Sequence, residues 1–271
     1  MPDQIDLFAG MDATPPETAT EIVPVAEPVV APVRCEAEGT SKDTAETLAR
    51  EDPVQRQATV QELAGIVDEV YRLNHFAHDT FANVVELWKW VLRRHSFDGE
   101  KRYLEVVARM QPDAVRAAPK GFVLLLDHFV MRQHFSDLLG PVYMELASRW
   151  KQSGLGQYFT PWEVCLAMAI VTIADAAPTA EQPLTVNEPC VGSGAMLLAC
   201  REAVARHCGR EALRHLHVSG QDIDQVCVDM AEVQLLMTDD RFMRDWAMAN
   251  MLTLPLKEQD DDEATGGATE G

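Results

Sequence analysis

The sequence predicts an α/β protein in which a helical domain precedes a short, partial sheet of nucleotide-binding type. Three observations carry this. Apolar residues recur at helical spacing across residues 54–150, Leu184-Thr185-Val186 and Leu216-His217-Val218-Ser219 read as short strands, and each strand leads into a turn and a helix-favouring run. The first turn is Gly192-Ser193-Gly194 and the second carries Asp222. Composition divides the rest. Residues 1–53 and 257–271 form two acidic tails, 54–150 the helical domain, and 151–256 the sheet domain.

Taken in order, residues 1–53 hold twelve acids against three bases and a loose Pro-Val rhythm between Val23 and Val33, which predicts an unstructured acidic tail. One island stands out in it. Gln4-Ile5-Asp6-Leu7-Phe8 places an apolar pair in a polar context and resembles the pentapeptide by which bacterial replication and repair proteins dock on the sliding clamp. The alternatives are a chance match and a tail that folds back on the domain.

In the helical domain, Val60, Leu63, Ile66, Val67 and Val70 form one stripe. Phe76, Phe81, Val84, Val85, Leu87, Trp88 and Val91 form a second, and Tyr103, Leu104, Val106, Val107 and Met110 a third. Pro112 and Pro119 punctuate the run, and residues 122–130 suit a buried helix. Lys89, Arg93, Arg94, Lys101 and Arg102 are the densest basic cluster. They are read as a solvated helix face paired with Asp98, Glu100 and Glu105, with phosphate contact as the functional alternative. Histidines 75, 78, 95, 128 and 134 lack ligand spacing, and the six cysteines show no C-x-x-C pair, so neither a metal site nor a disulfide framework is expected.

In the sheet domain, Thr160 and Pro161 suit the start of a helix running to Ala174. The Gly-Ser-Gly turn lets backbone approach a ligand, and the helix after it, from Ala195 to Cys208, offers unpaired N–H groups. Asp222 follows the second strand, where a carboxylate can accept both hydroxyls of a ribose, and Asp224 suits the N-cap of a helix from Gln225 to Met237. Residues 245–250 fit a third strand ending at Asn250.

These residues carry a family resemblance. Gly156-Gln157-Tyr158-Phe159-Thr160-Pro161, Glu188-Pro189-Cys190-Val191-Gly192-Ser193-Gly194 and Gly220-Gln221-Asp222, in that order, resemble the first motifs of adenine-N6 DNA methyltransferases, especially the modification subunit of type I restriction systems. The resemblance covers roughly residues 135–255, including the segment from Asp137 to Leu146. It implies a partial Rossmann-like S-adenosylmethionine-dependent methyltransferase sheet, here with three predicted strands. The implied cofactor, S-adenosylmethionine, would meet Gln157, Tyr158, Phe159, Thr160, Pro161, Trp162, Glu188, Gly192, Ser193, Gly194, Asp222 and Asn250, and the implied partner is DNA.

The departures bear on activity. The family's N-P-P-F/Y loop, which holds a flipped adenine, does not occur in these residues, so no catalytic residue is assigned. Glu188 stands where Asp is common, and Trp162 where a basic residue is common. The strand from Leu184 would be an open edge, covered by the helical domain, by a partner chain bringing the missing strands and loop, or by a second copy, unless the sequence is a truncated form. The expected function is therefore a DNA adenine-N6 methyltransferase-like protein, inactive alone. The alternative is a non-catalytic accessory protein of DNA metabolism that uses the fold for interaction and the N-terminal peptide for the clamp.

The net charge of −20 argues against strong DNA binding by the chain alone, although the two tails hold more than half of the excess. No apolar run reaches membrane-spanning length and no secretory signal opens the chain, which predicts a cytoplasmic protein.

Overall fold

The computed structural model describes residues 4–5, 51–150, 158–173 and 176–253. Helix α1 (Pro53–Leu73) starts at Asp52, whose carboxylate accepts the Val54 N–H at 2.9 Å, with Pro53 in the first turn where its missing N–H costs nothing. Its stripe Val60, Leu63, Val67 and Val70 is buried as the spacing predicts. Helix α2 spans Thr80–Leu92. Phe76 is not part of it. His75 and Phe76 adopt left-handed φ values of 54° and 59°, and Asn74 stabilises this turn by donating to Thr80 Oγ1 and accepting from the Gln111 N–H. Phe76 is accordingly exposed rather than in the predicted stripe.

Helices α3 (Gly99–Arg109), α4 (Pro112–Ala117) and α5 (Pro119–Leu126) follow, each proline opening a helix. Helix α5 runs into a π-helical turn, Asp127–Met131, that carries His128 into the interior. Helix α6 (Leu139–Arg149) closes the helical run.

The sheet is small. Strands β2 (Leu184–Glu188) and β3 (Leu216–Gln221) pair in parallel from Leu184↔Leu216 to Glu188↔Gly220, joined by the crossover helix α8 (Ala195–Cys208) and a 3-10 turn, Arg210–His215. The two-residue β1 (Gln4–Ile5) adds antiparallel to the other edge of β3, opposite Gly220 and Gln221, giving the order β1-β3-β2. Helix α7 (Trp162–Ile173) packs on α8, and together they cover the apolar side of the strands. The other side presents Thr185, Asn187, His217 and Ser219, with Asn187 Nδ2 donating to Ser219 Oγ at 2.9 Å. Among the described residues β2 is an edge strand, as expected.

The third strand expected over residues 245–250 is instead the middle of a helix, α10 (Asp240–Thr253). Asp239 accepts the N–H groups of Arg241 and Phe242, which nucleates a helical turn. Trp246 then packs against the ring of Phe122 and donates its indole N–H to the Val91 carbonyl at 3.1 Å. A helical stripe of Phe242, Met243 and Trp246 outweighs the short apolar run that suggested a strand.

Helix α9 (Gln225–Met237) connects the two halves. Cys227, Met230, Val233, Leu236 and Met237 join the core of helices α1 to α6, whereas Ala231 and Leu235 join the core beneath the sheet. A buried ion pair from α2 and a half-buried one from the residue that ends it fasten α2 to α9. Lys89 Nζ lies 2.6 Å from Asp229 Oδ1, and Arg93 pairs with Glu232. The predicted basic face is thus divided: Lys89 and Arg93 point inward, while Arg94, Lys101 and Arg102 make exposed pairs with Glu100 and Glu105.

Candidate functional site

A parallel pairing in register brings the ends of β2 and β3 side by side, so the Gly-Ser-Gly turn and Asp222 sit together at the carboxyl edge of the sheet. Between them and residues 158–160 lies a crevice of about 500 Å³. Tyr158, Phe159, Thr160, Glu188, Gly192, Ser193 and Asp222, all expected from the sequence, line it. Gln157 lies outside the described residues. Pro161, Trp162, Gly194 and Asn250 are not among its lining residues, and each has another place.

Pro161 ends the loop. Its carbonyl accepts the N–H groups of Val164 and Cys165, so α7 begins one residue later than expected, at Trp162. Trp162 is buried in the core beneath the sheet with Cys165, Ala169 and Ile173. Asn250 is a helical residue of α10, and its Nδ2 donates to the Trp246 carbonyl at 2.8 Å. Its predicted position at a strand end facing the crevice is therefore corrected.

Gly194 has φ of 94°, and a Cβ there would lie 3.0 Å from Ala231 Cα, so only glycine admits both the backbone conformation and the approach of α9. It precedes α8, whose first turn has no side-chain cap. The N–H groups at that end remain available to a polar ligand. Gly192, with φ of 53°, sits against the Phe159 ring. Phe159 in turn meets Tyr143 edge-on at 5.6 Å, and Tyr143 meets Phe81 at 5.3 Å. This aromatic series braces the loop of residues 158–160 against the helical core while one side of Phe159 faces the crevice.

Asp222 spans the two strand ends. Its Oδ2 accepts the Gly192 N–H and its Oδ1 the Asp224 N–H, each at 3.0 Å. One lone pair on each oxygen remains for hydroxyl donors. Asp224 itself caps α9 through the Val226 N–H at 2.9 Å, as the sequence predicts. Glu188 accepts the Cys190 N–H at 3.1 Å, which shapes the turn between β2 and the glycines.

Ser193 differs from the expectation drawn from the motif. Its hydroxyl turns away from the crevice and donates to Asp137 Oδ2 at 2.6 Å. Asp137 is fully buried, and burial raises its carboxyl above the ordinary range, against the hydrogen bonds from Ser193, Gly140, Gln234 and Leu139 that pull it down. Gln234 completes the network. Its Oε1 accepts the N–H groups of Leu138 and Leu139, and its Nε2 donates to Asp137 Oδ1 at 2.9 Å and to the Ser193 carbonyl at 2.8 Å. All four of its hydrogen-bonding positions are filled. Asp137 and Gln234 thus hold the glycine turn from behind. No motif assigned them this role: Asp137 opens the segment to Leu146 that the resemblance covers, just ahead of α6, and Gln234 is a polar residue inside the apolar run of α9.

Sequence reasoning also missed the crevice's apolar wall, which includes Val191, Met196, Cys227 and the exposed Ile223. Burial pushes the Cys227 thiol up to about 12 and the Cys165 thiol to about 11, so both are neutral lining groups and not nucleophiles. Among the described residues no group of His, Cys, Asp or Glu could hold a metal ion, and no helix is long and apolar enough to cross a membrane. Of the clamp-like peptide, Gln4 and Ile5 form β1, and Asp6, Leu7 and Phe8 lie outside the described residues.

Residues 134–265 match the family model described as N-6 DNA methylase. No curated protein and no solved structure matches the chain.

Proposed function

We propose that the chain, whose residues 134–265 match the N-6 DNA methylase family, has its role in DNA methylation and binds S-adenosylmethionine in the crevice between residues 158–160, the glycine turn and Asp222. The observation that carries this is the state of Asp222, which spends one lone pair per oxygen on backbone N–H groups and keeps the other two for a pair of hydroxyls. A crevice of about 500 Å³ is of ligand size. Ile223, Val191 and Met196 suit the face of an adenine ring, and the uncapped start of α8 suits a carboxylate. When bound, this cofactor supplies an electrophilic methyl group.

The chain's own part is to bind and orient. Tyr158 and Phe159 close one wall, Phe159 held by Tyr143 and Gly192. The network of Asp137, Ser193 and Gln234 keeps the glycine turn rigid, so that its N–H groups stay aimed. No N-P-P-F/Y loop occurs in the 271 residues, and no crevice residue is arranged to hold a flipped adenine. The proposal is that a partner chain supplies this loop, in a restriction-modification type of assembly, with the edge of β2 as the place where its strands would add.

Calorimetric titration of the purified chain with S-adenosylmethionine tests the first part, with Asp222→Ala as control. The expected result is saturable binding that falls at least tenfold in the variant. Equal affinity in both proteins would refute the assigned crevice. For the second part, incorporation of labelled methyl groups into DNA by the chain alone would refute the need for a partner.

A further inference from the structure

A second cavity, of about 510 Å³, lies away from the crevice, between the 3-10 turn, β3, α9 and the start of α10. Its floor is apolar: Leu216 and Val218 of β3, Leu235 of α9 and Phe242 of α10. Its sides are cationic, with Arg201, Arg210, Arg214, Arg241 and Arg244 converging from three elements of a chain whose net charge is −20. The five are not equivalent. Arg210 is bidentate to Asp240, with Nη2 at 2.8 Å from Oδ1, and Arg214 pairs with Glu211. Asp239, the third acid in the cavity, is engaged with the N–H groups of Arg241 and Phe242.

Arg201 is the unexplained member. It is 3% exposed, its Nη2 donates to the Thr238 carbonyl at 2.9 Å, and its Nε has no hydrogen-bond partner. Among the described residues no carboxylate lies within ion-pair distance of it, and burial lowers its pKa. Arg241 and Arg244 are exposed at the rim, and their side chains make no ion pair with a described residue. Asp239 and Asp240 act on Arg201 only from beyond contact, and a buried guanidinium with no contacting counter-charge is costly unless an anion completes it. Setting the two ion pairs aside, three cations face one carboxylate, an excess of two positive charges.

We propose that this cavity is a binding site for a phosphomonoester, a dianion carried on an apolar or aromatic body of nucleotide size. The dianion matches the excess charge. Guanidinium forks suit the tetrahedral oxygens of phosphate, and Arg201, with one N–H already unsatisfied, is the innermost donor while Arg241 and Arg244 close over the entrance. The apolar floor of Leu216, Val218 and Phe242 takes the body of the ligand. This site is separate from the crevice and does not depend on the function proposed for it.

Adenosine monophosphate, ribose 5-phosphate, inorganic phosphate and adenosine, each titrated calorimetrically into the full chain carrying Asp222→Ala, provide the test; that substitution removes the ribose acceptor of the crevice, where adenosine itself would otherwise bind. The expected order is adenosine monophosphate tightest, sugar phosphate and inorganic phosphate weaker, and adenosine at least thirtyfold weaker than its phosphate. Adding Arg241→Glu and Arg244→Glu, both at exposed positions, should weaken adenosine monophosphate at least thirtyfold. Adenosine binding as well as its phosphate, or unchanged affinity in the triple variant, would overturn the proposal. So would loss of adenosine monophosphate in Asp222→Ala with retention in Arg241→Glu with Arg244→Glu, which would put the nucleotide in the crevice.

Discussion

Replacing Gln234 with leucine tests how the glycine turn is held. Leucine keeps most of the volume, so the change removes hydrogen bonds and leaves little cavity. Gln234 is fully buried and makes four bonds, two accepted from the N–H groups of Leu138 and Leu139 and two donated to Asp137 and the Ser193 carbonyl. Without it the Leu138 N–H is orphaned in the interior, and Asp137 and the Ser193 carbonyl each lose a donor. An unsatisfied buried group costs about 1–3 kcal/mol, and these losses share one site and do not add in full. The expected destabilisation is about 3–5 kcal/mol, a large part of the ~5–15 kcal/mol that holds a domain together. Urea unfolding followed by circular dichroism measures it. Ser193→Ala, which removes one donor to Asp137, should cost about 1–2 kcal/mol, and the double variant should show coupling because both act on the same carboxyl. A loss below about 1 kcal/mol in Gln234→Leu, or full additivity with Ser193→Ala, would refute the idea that this network fixes the turn.

Two further outcomes follow from buried charge. Burial and the neighbouring His134 lower the pKa of His128 to about 3, so it is neutral in the folded protein while the unfolded chain takes up its proton near pH 6.5. Its contribution is present above pH 6.5 and is lost as pH falls toward 3, amounting to about 1.4 kcal/mol at pH 5.5. Unfolding free energies at pH 5.5 and 7.5 should therefore differ more in the natural protein than in His128→Gln, and equal differences would count against the burial argument. Lys89→Met should cost about 3–5 kcal/mol by leaving Asp229 buried and unpaired, whereas Lys89→Met with Asp229→Leu should recover most of it. Chemical denaturation of the three proteins decides, and a double variant no better than the single one would show that the pair contributes more than mutual neutralisation.

The elements that surround the crevice were legible because their signals are local. Gly194 before Ala195, and Asp224 before Gln225, define the starts of α8 and α9 within a residue or two of chain, and both helices run as the sequence predicts. Asp222 could be placed at the crevice for the same reason, since a residue after a short strand has few positions to occupy. Other features depend on partners distant in sequence. Residues 245–250 suggest a third strand by their short apolar run, yet they lie in a helix whose Trp246 reaches Val91. Nothing near Ser193 tells its hydroxyl to turn toward Asp137, 56 residues earlier. Lys89 and Arg93 resemble a solvated face until α9 brings Asp229 and Glu232 against them.

The sequence by itself thus determined the two strand, turn and helix units around the crevice, the starts of α8 and α9 and several residues at the crevice mouth, because each is set by the conformational limits of a few consecutive residues. Only the tertiary structure decided which polar groups brace the turn, which arginines are left without a contacting carboxylate, and that α9 belongs to two cores at once. Those depend on which buried group finds which partner, and burial is a property of the packed chain.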